Sequence, residues 1–332
     1  MLTTLIALAA VGPRLPFKSP IWGLALSPDG KWLAAAHRGA SVSVVSLKTG
    51  RLLRKLIGAD ERRDSAFFEN PVLSPDGRYL TVGSASAEAE SNPVWRTSDW
   101  RIRNRILGGY ESLQFAEGGK TLVGLSYWIE RPRHLDVIRF SDGRVLKRRD
   151  LREIDYLVSF AADPRGAQAW ISSDFGPVQW NWRGKRSPRF PVGMRDWQGV
   201  VMSSSPGAHW LLSAGDTGRG GIAYLAKAKS YDLPDFLELD FRVRAVAWTG
   251  DGQSAVLAGL GGKIAVVDLG RNRIVREWVG HERRNIRGAA IRGNRLYTGA
   301  ESEYVDPRSG LKGGQICEWR LSDGRLLRAF TP

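Results

Sequence analysis

Apolar and polar positions alternate along this chain in short runs, and each run ends at a turn rich in Gly, Pro, Asp or Ser. Alternation with a period of two marks β-strands rather than helices. The first block reads as four strands. Residues 22–27 run into the phrase Ser27-Pro28-Asp29-Gly30, and residues 31–36 follow it. Residues 41–47 carry apolar side chains at Val42, Val44 and Leu47; residues 51–57 come after the turn Lys48-Thr49-Gly50. Pro presets φ and Gly takes a positive φ without steric cost, so both phrases predict tight turns.

The block then repeats. Ser-Pro-Asp-Gly returns at Ser74-Pro75-Asp76-Gly77, with weaker echoes at residues 117–122, 163–166, 205–207, 250–253 and 292–296. A unit of four strands returning about every 41–47 residues is the signature of propeller blades. The blades fall at residues 21–58, 65–108, 110–151, 154–193, 196–239, 241–282 and 284–330. The expected fold is therefore all-β: a single seven-bladed β-propeller over residues 21–332, with four antiparallel strands, a to d from axis to rim, in each blade. The last blade carries its own strand d, so ring closure needs no strand from the N-terminus. Residues 1–20 hold the apolar run Leu2 to Val11 and are surplus to the ring. They read either as an export leader or as a strand along the rim, which leaves a cytoplasmic and an exported location both open. No run is long enough for a transmembrane helix.

These repeats resemble bacterial WD40-like propellers, on the turn phrase and the four-strand period. The resemblance is one of architecture. Gly-His occurs once, at Gly280-His281, and no Trp-Asp dipeptide occurs. The Asp–His–Ser/Thr–Trp network of that family therefore cannot be complete in most blades. The resemblance implies a non-enzymatic scaffold that binds a protein partner.

Charge changes the picture in one respect. The net charge is +15, and Lys and Arg crowd the predicted outer strands, as at Arg51, Arg54 and Lys55 or Arg101, Arg103 and Arg105. Such residues protect a sheet edge from pairing with other chains. They also suit a polyanion, so an acidic protein, nucleic acid or acidic glycan is an alternative partner class. Blade five breaks the belt with Asp232, Asp235, Glu238 and Asp240. Edge protection fits every blade; polyanion binding fits six.

Candidate contacts come from the connections between strands b and c, which are long in blades two, three, five and seven and lie at the end away from the Ser-Pro-Asp-Gly turns. Loops that vary on one face commonly make the binding face. Tyr127, Trp128, Arg131, Arg133 and His134 in blade three, Arg219 in blade five, and Tyr304 and Arg308 in blade seven are of the types that supply binding hot spots. No catalytic residue, metal ligand or cofactor is assigned. The four His fall in different blades, and Walker, G-x-S-x-G and G-x-G-x-x-G patterns are missing. Cys317 is the one cysteine and reads as a buried thiol. The runner-up class is an enzyme resembling propeller lactonases or quinoprotein dehydrogenases, which requires acids or His converging in the axial channel. The chain is expected to be monomeric on its own.

Overall fold

The computed structural model describes residues 19–37, 40–58, 67–85, 90–126, 133–151, 159–172, 178–184, 198–207, 209–216, 221–227, 235–301 and 313–330. Their strands form seven antiparallel sheets, each in simple sequential order. Blade one holds β1 (Ile21–Leu26), β2 (Trp32–His37), β3 (Ser41–Ser46) and β4 (Leu52–Ile57). Blade two holds β5 (Phe67–Leu73), β6 (Tyr79–Ala85), β7 (Ser91–Arg96) and β8 (Ile102–Leu107). Blade three holds β9 (Ser112–Ala116), β10 (Thr121–Ser126), β11 (His134–Arg139) and β12 (Val145–Asp150). Blade four shows β13 (Phe160–Ala162), β14 (Gln168–Ile171) and β15 (Val178–Asn181); its outer span, 185–193, lies outside the described residues. Blade five holds β16 (Gln198–Ser204), β17 (Trp210–Asp216), β18 (Gly221–Lys227) and β19 (Asp235–Leu239). Blade six holds β20 (Val243–Trp248), β21 (Ser254–Gly259), β22 (Lys263–Asp268) and β23 (Arg273–Val279). Blade seven holds β24 (Ile286–Arg292), β25 (Arg295–Ala300), β26 (Gln315–Arg320) and β27 (Leu326–Phe330).

The core is divided among the interfaces between blades. Leu33, Ala35 and Val45 pack on Tyr297, Ile316 and Phe330 of blade seven. Their alternate neighbours Ala34, Val42 and Val44 pack on Phe68, Leu80 and Trp95 of blade two. Both faces of the middle strands are thus covered, which is why β3 is buried at every position and why the middle strands read as continuous apolar or small runs. The outer strands have one neighbouring strand among the described residues and are the most exposed, β27 apart. Besides their Lys and Arg, they show Leu52, Leu53, Ile57, Leu107, Val275 and Val279 to solvent. A polar guard between such residues has a physical purpose.

The Ser-Pro-Asp-Gly phrase works through side chains as well as backbone. The Ser27 hydroxyl accepts from the Lys31 and Trp32 amides, both at 3.1 Å, and Asp29 accepts from the Lys31 amide at 3.0 Å. Gly30 closes the turn at φ 67°. In blade six, Thr249-Gly250-Asp251-Gly252 makes the same set: Thr249 Oγ1 accepts from the Ser254 amide at 3.0 Å and Asp251 from the Gln253 amide at 3.0 Å. In this blade the phrase is degenerate in letters and equivalent in chemistry.

Among the described residues blade seven is built from β24–β27, and both backbone and side chains join it to the start of blade one: the Gly314 amide donates to the Ser19 carbonyl at 3.0 Å. The Arg328 guanidinium of β27 reaches the Leu47 and Lys48 carbonyls of blade one, while its Nη2 pairs with buried Glu318 at 2.8 Å. Arg148 is likewise turned inward, onto Asp136 at 2.7 and 2.8 Å. Part of the basic rim is therefore spent on intramolecular pairing. Burial works to raise the Asp136 carboxyl, but hydrogen bonds from Arg148, His134 and Tyr110 overcome it and hold the group well below the usual carboxylate range.

Two predicted loops are shorter than the sequence suggests. In blade five, Gly215 and Asp216 pair with Ile222 and Gly221, so β17 and β18 run up to the short connection 217–220. Ala226 and Lys227 likewise belong to β18 rather than to the following turn. In blade two, Ser84, Ala85 and residues 91–93 are strand. Glycine and small polar residues here mark close packing between blades rather than loop.

Candidate functional site

Strand a of each blade enters the ring at the end that carries the b–c connections, so the first residues of the inner strands surround the mouth of the axis. A cavity of about 580 Å³ opens there, lined by residues of β1, β5, β9, β16, β20 and β24 together with Glu111 just before β9, Leu125 of β10 and Ser159 just before β13. Its charged residues are Glu69, Glu111, Arg244 and Arg287. The acids come from adjacent blades two and three, the bases from adjacent blades six and seven. The mouth is polarised across its diameter.

Local packing holds these groups in place. A Cβ on Gly83 would lie 1.9 Å from the Glu111 carbonyl oxygen, so only glycine allows the start of blade three to seat this closely on β6. The Ser84 amide donates to the Tyr110 carbonyl at 2.9 Å, and Asn92 clamps the Tyr110 amide and carbonyl at 2.8 and 2.7 Å. Glu111 follows directly. On the opposite side Arg287 donates to Glu301 at 2.9 Å, and its guanidinium carbon lies 4.9 Å from the centre of the Trp22 ring, within cation–π range.

Glu69 is half-buried in the cavity wall. Burial and the neighbouring Glu111 push its carboxyl up to about 7, against the pull of Arg287. A carboxyl raised in the folded state binds a proton that the unfolded chain has already released. Its cost to stability is absent below the unfolded value of 4.5 and grows as pH rises toward 7. Glu69→Gln is therefore expected to raise the thermal midpoint relative to wild type at pH of about 8 and to leave it unchanged at pH of about 4. Differential scanning calorimetry at the two pH values checks this.

Of the residues singled out from the sequence, Tyr127, Trp128, Arg131, Arg219, Tyr304 and Arg308 lie outside the described residues. Arg133 and His134 are described. The structure places His134 as the first residue of β11 rather than in a loop, with Nε2 3.4 Å from Asp136 and its ring 6.3 Å from that of Tyr110. His37 is buried against Ser43 Oγ at 2.8 Å. Cys317 is buried as expected, its thiol pushed up to about 12 by burial. Among the described residues no three His, Cys, Asp or Glu side chains gather closely enough to hold a metal ion. No helix among them is long and apolar enough to cross a membrane.

The axial charges escaped the sequence reading because they belong to no motif. Three of the four share a register instead: Glu69, Arg244 and Arg287 each stand five residues before the opening residue of their turn phrase, Ser74, Thr249 and Arg292, as Trp22 does before Ser27. Aligning the repeats on that phrase would have gathered them.

Blade seven carries the His, Thr and Trp members of a buried polar network. Trp319 Nε1 donates to Thr298 Oγ1 at 2.7 Å, Thr298 bonds His281 Nε2 at 2.7 Å, and His281 Nδ1 meets Gln315 Oε1 at 2.9 Å. Gln315 stands at the end of the chain of bonds that, in WD40 repeats, finishes on Asp.

Comparison with known proteins agrees with this architecture. The family model described as WD domain, G-beta repeat matches residues 14–45, the stretch that contains the first Ser-Pro-Asp-Gly turn. Comparison with curated proteins finds no match. Among solved structures, the one titled "Structure of U3-55K" superposes with a TM-score of 0.72 at 15% identity, covering 92% of this chain and 96% of that one. The β-propeller domain of Cps50 (Swd1) from Myceliophteria thermophila superposes with a TM-score of 0.67 at 13% identity, covering 93% and 99%. At such identities the likeness is one of fold: the chain is a seven-bladed β-propeller with a recognisable WD40 repeat in its first blade.

Proposed function

We propose that this propeller is a non-enzymatic interaction scaffold, and that its protein partner docks over the axial mouth at the b–c end. The supporting observation is the polarised cavity, with Glu69 and Glu111 facing Arg244 and Arg287 across the axis. Opposed charges at one opening favour a segment that itself carries both signs, since complementarity sets register and rejects wrong partners. The connections bearing Tyr127, Trp128, Arg131, Tyr304 and Arg308 leave from β10 and β25, whose ends at Ser126 and Ala300 lie at the same end of the ring. They supply the rim of the contact in this reading. Affinity purification from the native host is the test, comparing wild type with Glu69→Gln/Glu111→Gln, Arg244→Glu, Trp128→Ala and Tyr304→Ala. The expected result is loss of the recovered partner by variants whose thermal midpoint is not lowered. Recovery of the same proteins by every variant refutes the proposal.

A second reading, an enzymatic channel, draws support from the same two acids. Glu69, raised toward neutrality beside a second carboxyl, is of the kind that serves as a general acid. It predicts turnover of lactone or ester substrates that Glu69→Gln abolishes. A broad ester and lactone panel without such turnover dismisses it.

A further inference from the structure

We infer that a second binding site, for an acidic peptide segment, lies at the opposite end of the ring, in the cleft between blades two and three. This end carries the a–b and c–d turns and holds a cavity of about 640 Å³. Its apolar floor is aromatic. The rings of Tyr79 and Phe140 meet edge to face at 5.2 Å, and Phe115 supports Phe140 from behind at 5.0 Å. Leu146 of β12 closes one side.

The charge of the walls decides the occupant. Five cations line the cleft, Arg78, Arg103, Lys120, Arg139 and Arg183, against two carboxylates, Asp76 and Glu117. Both carboxylates are engaged. Asp76 pairs with Arg78 at 2.6 Å. Although burial pushes its carboxyl up, hydrogen bonds from Ser74 and Arg78 hold it down at about 2. Glu117 pairs with Arg183 and accepts from the Thr121 hydroxyl at 3.1 Å. Arg139 is turned onto Asp142 at 2.9 Å. Arg103 and Lys120 remain, exposed and without a carboxylate partner among the described residues. An aromatic floor flanked by Lys120 and by Arg103, neither neutralised by a carboxylate among the described residues, fits an apolar or aromatic anchor with acidic side chains beside it.

A single-stranded nucleic acid fits less well. Base stacking needs open ring faces. Here the Arg103 guanidinium carbon already sits 4.9 Å from the centre of the Tyr79 ring, and Phe140 is held edge-on between Tyr79 and Phe115. Two fixed carboxylates in the wall also repel a continuous phosphate chain, whereas a peptide places its charges singly.

Selection of a random peptide library, displayed on phage, against the immobilised full chain tests the site. The expected outcome is enrichment of acidic peptides with one aromatic or large aliphatic residue. Their affinity should fall by about tenfold or more for Arg103→Glu/Lys120→Glu, and also for Phe140→Ala. The first variant changes only exposed side chains, and an unchanged thermal midpoint confirms its fold. Failure to enrich any peptide, enrichment of neutral or basic ones, or equal binding of acidic ones by Arg103→Glu/Lys120→Glu overturns the inference. A labelled oligouridylate that binds wild type and not this variant overturns the peptide assignment in favour of RNA. The site is independent of the axial mouth, so Glu69→Gln/Glu111→Gln should bind the enriched peptides normally.

Discussion

Gly262→Ala is expected to destabilise the propeller by about 3–5 kcal/mol, among the largest effects open to a single methyl group. Two costs combine. Gly262 sits at φ +72°, where an L side chain is strained, at about 1–2 kcal/mol. The added Cβ would also lie 1.7 Å from the His281 carbonyl oxygen and 2.4 Å from its carbonyl carbon. Neither atom can yield without moving the connection into blade seven. That connection is tied down by the Gly280 amide, which donates to the Gly262 carbonyl at 2.8 Å. Displacing it draws His281 off Thr298 and loosens the interface between blades six and seven. Urea unfolding measures the loss. Gly293→Ala is the control: it has a similar positive φ of 53° but nothing within 4 Å of the new Cβ. It should cost only the backbone strain, on the order of 1 kcal/mol. Equal losses for the two variants would show that the close approach at His281 contributes nothing.

Thr298→Val is expected to cost about 2–4 kcal/mol although the two side chains are nearly the same shape. The indole Nε1 of Trp319 can only donate, so the Thr298 oxygen must accept from it. The hydroxyl hydrogen is then free to donate to His281 Nε2, which leaves Nδ1–H to donate to Gln315 Oε1. Each bond sets the direction of the next, and the whole chain needs a neutral imidazole. Burial enforces that, holding the His281 pKa down at about 4 against the help of Gln315. Valine strands one buried donor and one buried acceptor at once. The pH dependence has a definite sign. A histidine depressed in the folded state destabilises the fold as pH drops below the unfolded value of 6.5, and the loss is complete near 4. His37, also held at about 4 by burial, adds a second proton to the same window. In the Glu69→Gln background, which removes the opposing proton taken up by the folded Glu69 carboxyl above about pH 4.5, stability should therefore fall between pH of about 6.5 and 4 with a slope approaching two protons, and adding His37→Gln should reduce that slope. Chemical denaturation at a series of pH values measures it. A flat profile over this range would mean that neither imidazole is buried neutral.

The blade boundaries were legible because a turn phrase is a local object. Ser27, Asp29 and Gly30 satisfy their hydrogen bonds within five residues, so composition at that scale carries the information. The substitution of Thr249 for serine in blade six was tolerable for the same reason. The basic outer strands were equally plain. What could not be read was how those charges are used, since Arg328 finds its acceptors 281 and 280 positions away, at Leu47 and Lys48. Loop lengths were overestimated in blades two and five because Gly215, Gly221 and Ser84 look like turn residues. Gly221 is small because the chain entering the next blade presses on it: a Cβ there would stand 2.0 Å from the Phe241 carbonyl oxygen.

By itself the sequence determined the number of blades, the order of their strands and which end of the ring bears the turn phrases, because each depends on periodicity and on turns closed by near neighbours. Only the tertiary structure decided where the charges meet. Glu69, Glu111, Arg244 and Arg287 are scattered over more than half of the chain and come to face each other because closing the ring turns seven inner strands toward one axis. The aromatic cleft likewise needs two blades side by side before Tyr79 and Phe140 can touch. Contacts made by ring closure have no sequence spacing of their own, and both proposed sites are of that kind.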